Sequence, residues 1–269
     1  MRVFELRPGD SPVVLSFPHA GAGIPSGLVP RLTIAGRSSI DTDWNVDRLY
    51  SFAAELGIGT IRTHVSRYVV DLNRDPAGVS LYPGARTTAV APTETFEGVP
   101  LYVDGERPTS GEIAARVATF WKPYHDALSG ELERVRARHS YAILVDGHSI
   151  LGRLPLLFDG ELPDVNLGTN RGRSCAPLVT EAVANALRAR YPSLVVDGRF
   201  TGGHITRTYG DPQRDVHAIQ IELNQRTYVP DGPRAGWSDA KAATMSGALR
   251  AACTALLALV PPRVALEVT

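Results

Sequence analysis

Two histidines, a short run of acids and one strand-borne glutamate are the residues of this sequence whose types and surroundings suit chemistry. His19 sits in Ser16-Phe17-Pro18-His19-Ala20-Gly21, just past an apolar run and ahead of small residues that leave its ring unobstructed. Such a ring serves either as a metal ligand or as a loop histidine bonded to a backbone carbonyl. His148 lies in Asp146-Gly147-His148-Ser149, after five strand-like residues, with Asp146 placed to orient its imidazole. Asp41, Asp43 and Asp47 crowd the start of a helical pattern. Acids there cap a helix and complement its dipole, yet capping needs only one of them. With Asp41 as the cap, Asp43 shares the inward face with Val46 and requires a partner, because an unpaired buried charge is costly. A metal ion would be one such partner. Glu222 alternates with apolar residues in Ala218-Ile-Gln-Ile-Glu222-Leu-Asn224. That pattern fits a strand with one face in water, or a general base aimed at an attacking water.

Basic groups complete the inventory. Arg67, Asn73 and Arg74 flank the apolar Tyr68–Leu72 stretch, and Arg207 sits in the glycine-rich Thr201–Gly210 segment. Guanidinium groups beside a pocket suit bidentate binding of a carboxylate; on a surface they need no explanation. Gly21-Ala-Gly23 suggests a dinucleotide loop, but the third glycine is Ser26 and Pro25 and Pro30 break the helix that should follow. The phosphate loop, the HExxH helix and the GxSxG elbow are absent, so Ser149 lacks the glycines of a nucleophile elbow.

These groups need a scaffold that brings them to one edge. Pro12–Phe17, Thr60–Val65, Tyr68–Leu72, Tyr141–Val145, Leu194–Val196 and Ala218–Leu223 read as strands. A helical pattern with Val46, Leu49, Phe52 and Leu56 ends at Gly57, and longer ones run from Ser110 to about His139, through Leu187, and from Ala235 to Leu259. Strands alternating with helices predict an α/β sheet covered on both faces, in one domain over 1–269 with long irregular excursions near 73–108 and 150–174. Ligands of such sheets bind at the carboxyl ends of the strands, where His19, His148 and Glu222 fall.

The 269 residues carry 28 basic and 28 acidic side chains, 43% hydrophobic residues and two cysteines. Neutral balance argues against a nucleic-acid or membrane-surface binder. Cys175 and Cys253 are too few for a disulfide framework or a zinc knuckle, so any metal falls to histidines and carboxylates. No apolar run spans a membrane and the first residues lack the apolar core of a signal peptide, so the expected location is the cytoplasm.

Eight stretches resemble the N-formylglutamate amidohydrolase family: SFPHAGAGIP, DTDWNVDRLY, SRYVVDLNRDP with LYPGAR, FEGVPLY, DGHSI, PDVNLGTNRGRSC, DGRFTGGHITRTYG and VHAIQIELNQRTYV, in order from residue 16 to about 229. The family is similar in fold to zinc-dependent exopeptidases, implying a mixed, mostly parallel sheet with helices on both faces. The resemblance implies that His19, Asp43 and His148 hold one Zn2+ or another divalent ion, with Asp41 and Asp47 as alternatives for the carboxylate ligand. It makes Glu222 the general base and Arg67, Asn73, Arg74 and Arg207 the grip on a small anionic N-acyl amino acid. The implied reaction is hydrolysis of N-formyl-L-glutamate to formate and L-glutamate, the last step of histidine degradation. Family members commonly carry His where this chain has Asn45 and where it has Thr208. If those positions line the pocket, a relative acting on another N-formyl or N-acyl amino acid remains open. From another class, a non-catalytic binder of acidic amino-acid derivatives would bind its ligand without metal.

Overall fold

A computed structural model describes residues 1–79, 87–232 and 234–259; the LYPGAR stretch at 81–86 lies outside the described residues. Among the described residues seven strands form one sheet: β1 (Phe4–Arg7), β2 (Val13–Phe17), β3 (Gly59–Thr63), β4 (Ala142–Ile150), β5 (Val165–Gly168), β6 (Val195–Val196) and β7 (Val216–Asn224). Their spatial order is β1-β3-β2-β4-β7-β5-β6. The four central strands β3, β2, β4 and β7 are parallel, and β1 and β5 add antiparallel at either side.

Strand side chains alternate between two helical layers, as the period of two requires. On one face Val13, Leu15, Ile143, Val145, Ile219 and Ile221 pack with residues of the helices α4 (Pro177–Arg188) and α6 (Asp239–Leu257). On the other, Val14, Ile61, Leu144 and Ala218 meet Tyr124, Leu128, Leu132 and Val135 of α3 (Lys122–His139). The strand interiors are apolar on both sides because both sides are covered, the usual state of a parallel sheet. Shorter helices α1 (Ile34–Ser38), α2 (Ser110–Arg116) and α5 (His204–Tyr209) lie in the connections. Among the described residues no helix is long and apolar enough to cross a membrane.

Several local expectations give way. Tyr68–Leu72 is a series of turns, not a strand: the Tyr68 and Val69 N–H groups donate to Ser66, the Asp71 N–H donates to the Val90 carbonyl, and the Val69 and Leu72 carbonyls accept from Arg116 and His125, so turns and side chains satisfy what a sheet ladder would. The helix expected after Asp43 is two 3-10 turns, Asp47–Tyr50 and Ala54–Leu56. Asn45 precedes them with φ of 61°, a left-handed conformation in which no helix can start. Asp41 therefore caps nothing. β4 does not stop at Val145 but pairs with β7 as far as Ile150, so His148 is a strand residue. The expected helix from Ser110 to His139 is present, but a π-helical turn, Val117–Trp121, interrupts it between α2 and α3.

Candidate active site

The parallel strands end together, and the buried polar residues gather there. His19 lies two residues past β2. His148 stands in β4 directly opposite Glu222 of β7. Asp43 arrives from the connection after α1, where its backbone N–H donates to the His19 carbonyl at 3.0 Å. His19, Asp43 and His148 are all buried, and their nearest donor atoms lie within 4.8 Å of one another.

The two imidazoles are presented alike. His148 Nδ1 is 3.0 Å from Asp43 Oδ2, and its Nε2 is 2.9 Å from Asp146 Oδ2. His19 Nδ1 is 3.7 Å from the same Asp43 oxygen, while its Nε2 is held at 2.6 Å by Asp71 Oδ1. Each ring thus turns Nδ1 toward Asp43 and anchors Nε2 on a buried carboxylate, the arrangement that fixes a metal-binding histidine's tautomer. Asp146 is steadied in turn by Ser16 Oγ at 2.9 Å.

Charge supports the same fit. Asp43, Asp71 and Asp146 are buried around the rings, with the buried guanidinium of Arg67 among them. With neutral imidazoles these acids outnumber the cation beside them, and the resulting negative field suits a bound cation. Burial opposes a charged His148, but the adjacent Asp146 and Asp43 outweigh it and hold the ring's pKa well above the ordinary value. Burial likewise works against a charged Asp43, and its bonds to His148 and His19 reverse the effect and lower its pKa. The other two acids are engaged elsewhere: Asp41 Oδ2 accepts from Tyr68 and from the Phe96 backbone, both at 2.7 Å, and Asp47 pairs with Arg62 at 2.8 Å. The donor geometry favours Asp43.

The pocket over this cluster has about 610 Å³ of space, its open mouth included, and is lined by Arg67, Asn73, Arg74, Arg199, Phe96 and Glu222, besides the three donors. Burial lifts the Glu222 carboxyl to about 7, against the opposing pull of His148 and Arg67; Gln220 Nε2 donates to it at 2.8 Å. Arg67 donates to Asp71 at 2.7 Å, lies 3.7 Å from Asp43 and rests on the Phe96 ring, with its Nε buried and without a partner among the described residues. Asn73 spends its amide inside the protein, accepting from the Ile205 N–H at 2.8 Å and reaching Asp146 at 3.3 Å. A side chain at Gly203 would sit 2.3 Å from that amide, so only glycine admits it there.

Arg207 is not among the described residues that line the pocket. Its Nε donates to the Gly202 carbonyl and its Nη2 to Thr201, so the side chain folds back along the start of α5. Arg199 takes a place in the lining instead. Nothing in its DGRF context separated it from a surface arginine. Asp71 was also missed as a partner of His19, although it stands two residues before Asn73. Asn45 and Thr208 stay out of the lining: Asn45 bonds the Ala235 carbonyl and Thr208 lies 3.3 Å from His204.

The family model for N-formylglutamate amidohydrolase matches residues 11–229. An N-formylglutamate deformylase of Pseudomonas aeruginosa is 46% identical over 232 residues, 85% of this chain and 86% of that protein. One from Pseudomonas putida is 43% identical over 231 residues, covering 86% of each. The crystal structure of N-formylglutamate amidohydrolase from Ralstonia eutropha JMP134 superposes with a TM-score of 0.77 at 23% identity, covering 95% of this chain and 98% of that one, which bears on the fold alone.

Proposed function

The chain belongs to the N-formylglutamate amidohydrolase family, and from that premise we propose that it hydrolyses N-formyl-L-glutamate to formate and L-glutamate, with one divalent cation, zinc first, held by His19, Asp43 and His148. The observation that carries this reading is the pair of imidazoles turned by Asp71 and Asp146 to present Nδ1 beside Asp43. When bound, such a cation supplies the Lewis acidity that polarises an amide carbonyl and acidifies water.

The chain's own groups account for the rest. Glu222, directly across the strand pair from His148, has a carboxyl near pH 7. That is the value at which one group can accept a proton from the attacking water and then deliver it to the departing amine. Arg67, pinned between Asp71 and Asp43, has an Nε–H without a partner among the described residues, a donor for the oxyanion or the nearer carboxylate of the substrate. Arg74 and Arg199, on the pocket wall, supply cations for a dianionic amino acid. Asn73 holds its backbone in place through buried hydrogen bonds. Phe96 covers the Arg67 guanidinium and keeps water from it.

The test is a substrate panel. Formate or acetate release is followed with N-formyl-L-glutamate, N-formyl-L-aspartate and N-acetyl-L-glutamate. The proposal expects the formylglutamate to have the highest kcat/KM of the three. Preference for another compound would keep the hydrolytic machinery and move the substrate, and release from none would refute the reading.

A further inference from the structure

The helix from Ser110 to His139 does more than cover the sheet. Three of its side chains reach backbone carbonyls of the turn segment that carries Arg67, Asn73 and Arg74. Arg116 Nη1 donates to Val69 O at 3.3 Å, the His125 Nε2 to Leu72 O at 2.8 Å, and Trp121 Nε1 to Arg74 O at 3.0 Å. Trp121 and His125 stack with ring centroids 3.6 Å apart and planes inclined by 15°. Tyr209 of α5 closes the row, its hydroxyl 2.9 Å from His125 Nδ1.

In an unbroken α-helix these three side chains would not line up. Residues advance by about 100° each at 3.6 per turn, so Arg116 and Trp121, five apart, would point about 140° from one another. The π-helical turn at Val117–Trp121 takes up one extra residue. The five-residue step then covers the angle that four residues cover in a regular helix, about 40°. Trp121 and His125, four apart, differ by the same angle. One inserted residue thus puts Arg116, Trp121 and His125 in a single row along 69–74.

We propose that this π turn is a positioning device for substrate binding, and that Trp121 is a positioning residue acting through Arg74. The segment has no strand pairing to hold it, so the helix clamps its carbonyls instead, and the Arg74 guanidinium reaches the pocket wall from a backbone fixed at both ends. The inference rests on the proposed reading of Arg74 as a carboxylate-binding group.

The test is a double-mutant cycle on the zinc-loaded enzyme with N-formyl-L-glutamate, using Trp121→Phe, Arg74→Ala and the pair. Phe keeps an aromatic ring beside His125 and removes the indole N–H together with part of the indole's bulk. Trp121→Phe is expected to raise KM about three- to tenfold, with kcat within about twofold of the parent and zinc stoichiometry unchanged, while the urea midpoint falls modestly for the lost hydrogen bond. In the Arg74→Ala background it should change nothing further. A second pair covers the other contact: His125→Gln, whose amide still donates to Leu72 O, should stay near wild type, while His125→Leu should raise KM. The inference is overturned if Trp121→Phe costs the same factor in both backgrounds, if it lowers kcat at constant KM, or if it matches wild type. Wild-type activity on N-formyl-L-glutamate reports separately on the underlying reading: a wild type that is inactive there sinks the reading, and an active wild type with an additive cycle sinks only the clamp.

Discussion

At the scale of single residues, the proposed reading divides the site into groups that would hold a cation and a group that would move a proton. Replacing each kind should fail differently. Glu222→Gln keeps size and the hydrogen bond from Gln220 but removes the base, so kcat should fall by about 10²- to 10³-fold while zinc affinity, measured by chelator competition, stays near wild type. Asp146→Asn leaves the base and loosens the His148 ring, so zinc affinity should fall by about 10- to 100-fold. If Glu222→Gln retained full kcat, the assignment of the base would be wrong. His19, His148 and Glu222 could be singled out because each is a titratable group at or near the end of an apolar run, where burial without a partner is costly, and Asp43 only as one of three acids at the start of a helical pattern. The choice among Asp41, Asp43 and Asp47 was not legible. It is made by the Asp43 N–H bonding to His19, by Tyr68 and Phe96 taking Asp41, and by Arg62 taking Asp47, all contacts between distant parts of the chain. Arg207 had a better sequence context than Arg199, yet α5 folds Arg207 back on its own loop.

At the scale of elements, His125 reports on how α3 is seated. Burial among Trp121, Tyr209 and His204 pushes its pKa down to about 4, against the help of the Leu72 carbonyl; the charge of His204 adds to the depression, and Asp146 and Asp126 oppose it. In the unfolded chain the ring protonates near pH 6.5. Between those values the unfolded state binds the extra proton, so this contribution is fully present above about pH 6.5 and is lost as the pH falls toward 4. Its size is of order 3 kcal/mol at the acid end. Urea unfolding at pH 7 and pH 4.5 should show the loss in wild type and a shallower one in His125→Gln; equal slopes would contradict it. The α3 and α6 patterns and the buried strands were visible as periodicity in the sequence. The π turn was not, because an extra residue in one helical turn leaves the apolar spacing on both sides intact. Nor were the 3-10 turns after Asn45 or the true end of β4. Periodicity reads Asp146-Gly147-His148 as the end of a strand, whereas full-length pairing with β7 and hydrogen-bonded polar side chains carry β4 to Ile150.

At the scale of the whole molecule, formal neutrality conceals a local imbalance: buried acids surround the two imidazoles while arginines line the mouth above them. The acids suit a divalent ion and the arginines suit a dianion, so the sheet edge brings together two opposite charges that the average composition hides. A cation bound to the folded chain alone should also stabilise it, by roughly 4 kcal/mol when present at a thousand times its Kd. The central claim is that hydrolysis requires one ion at His19, Asp43 and His148. It is tested most directly by stripping the protein with a chelator and titrating zinc back while recording formate release from N-formyl-L-glutamate. The account predicts negligible release from the stripped protein and a rise to a plateau at one zinc per chain, abolished in His148→Ala. Full release from metal-free protein, or an unchanged titration in His148→Ala, would contradict it.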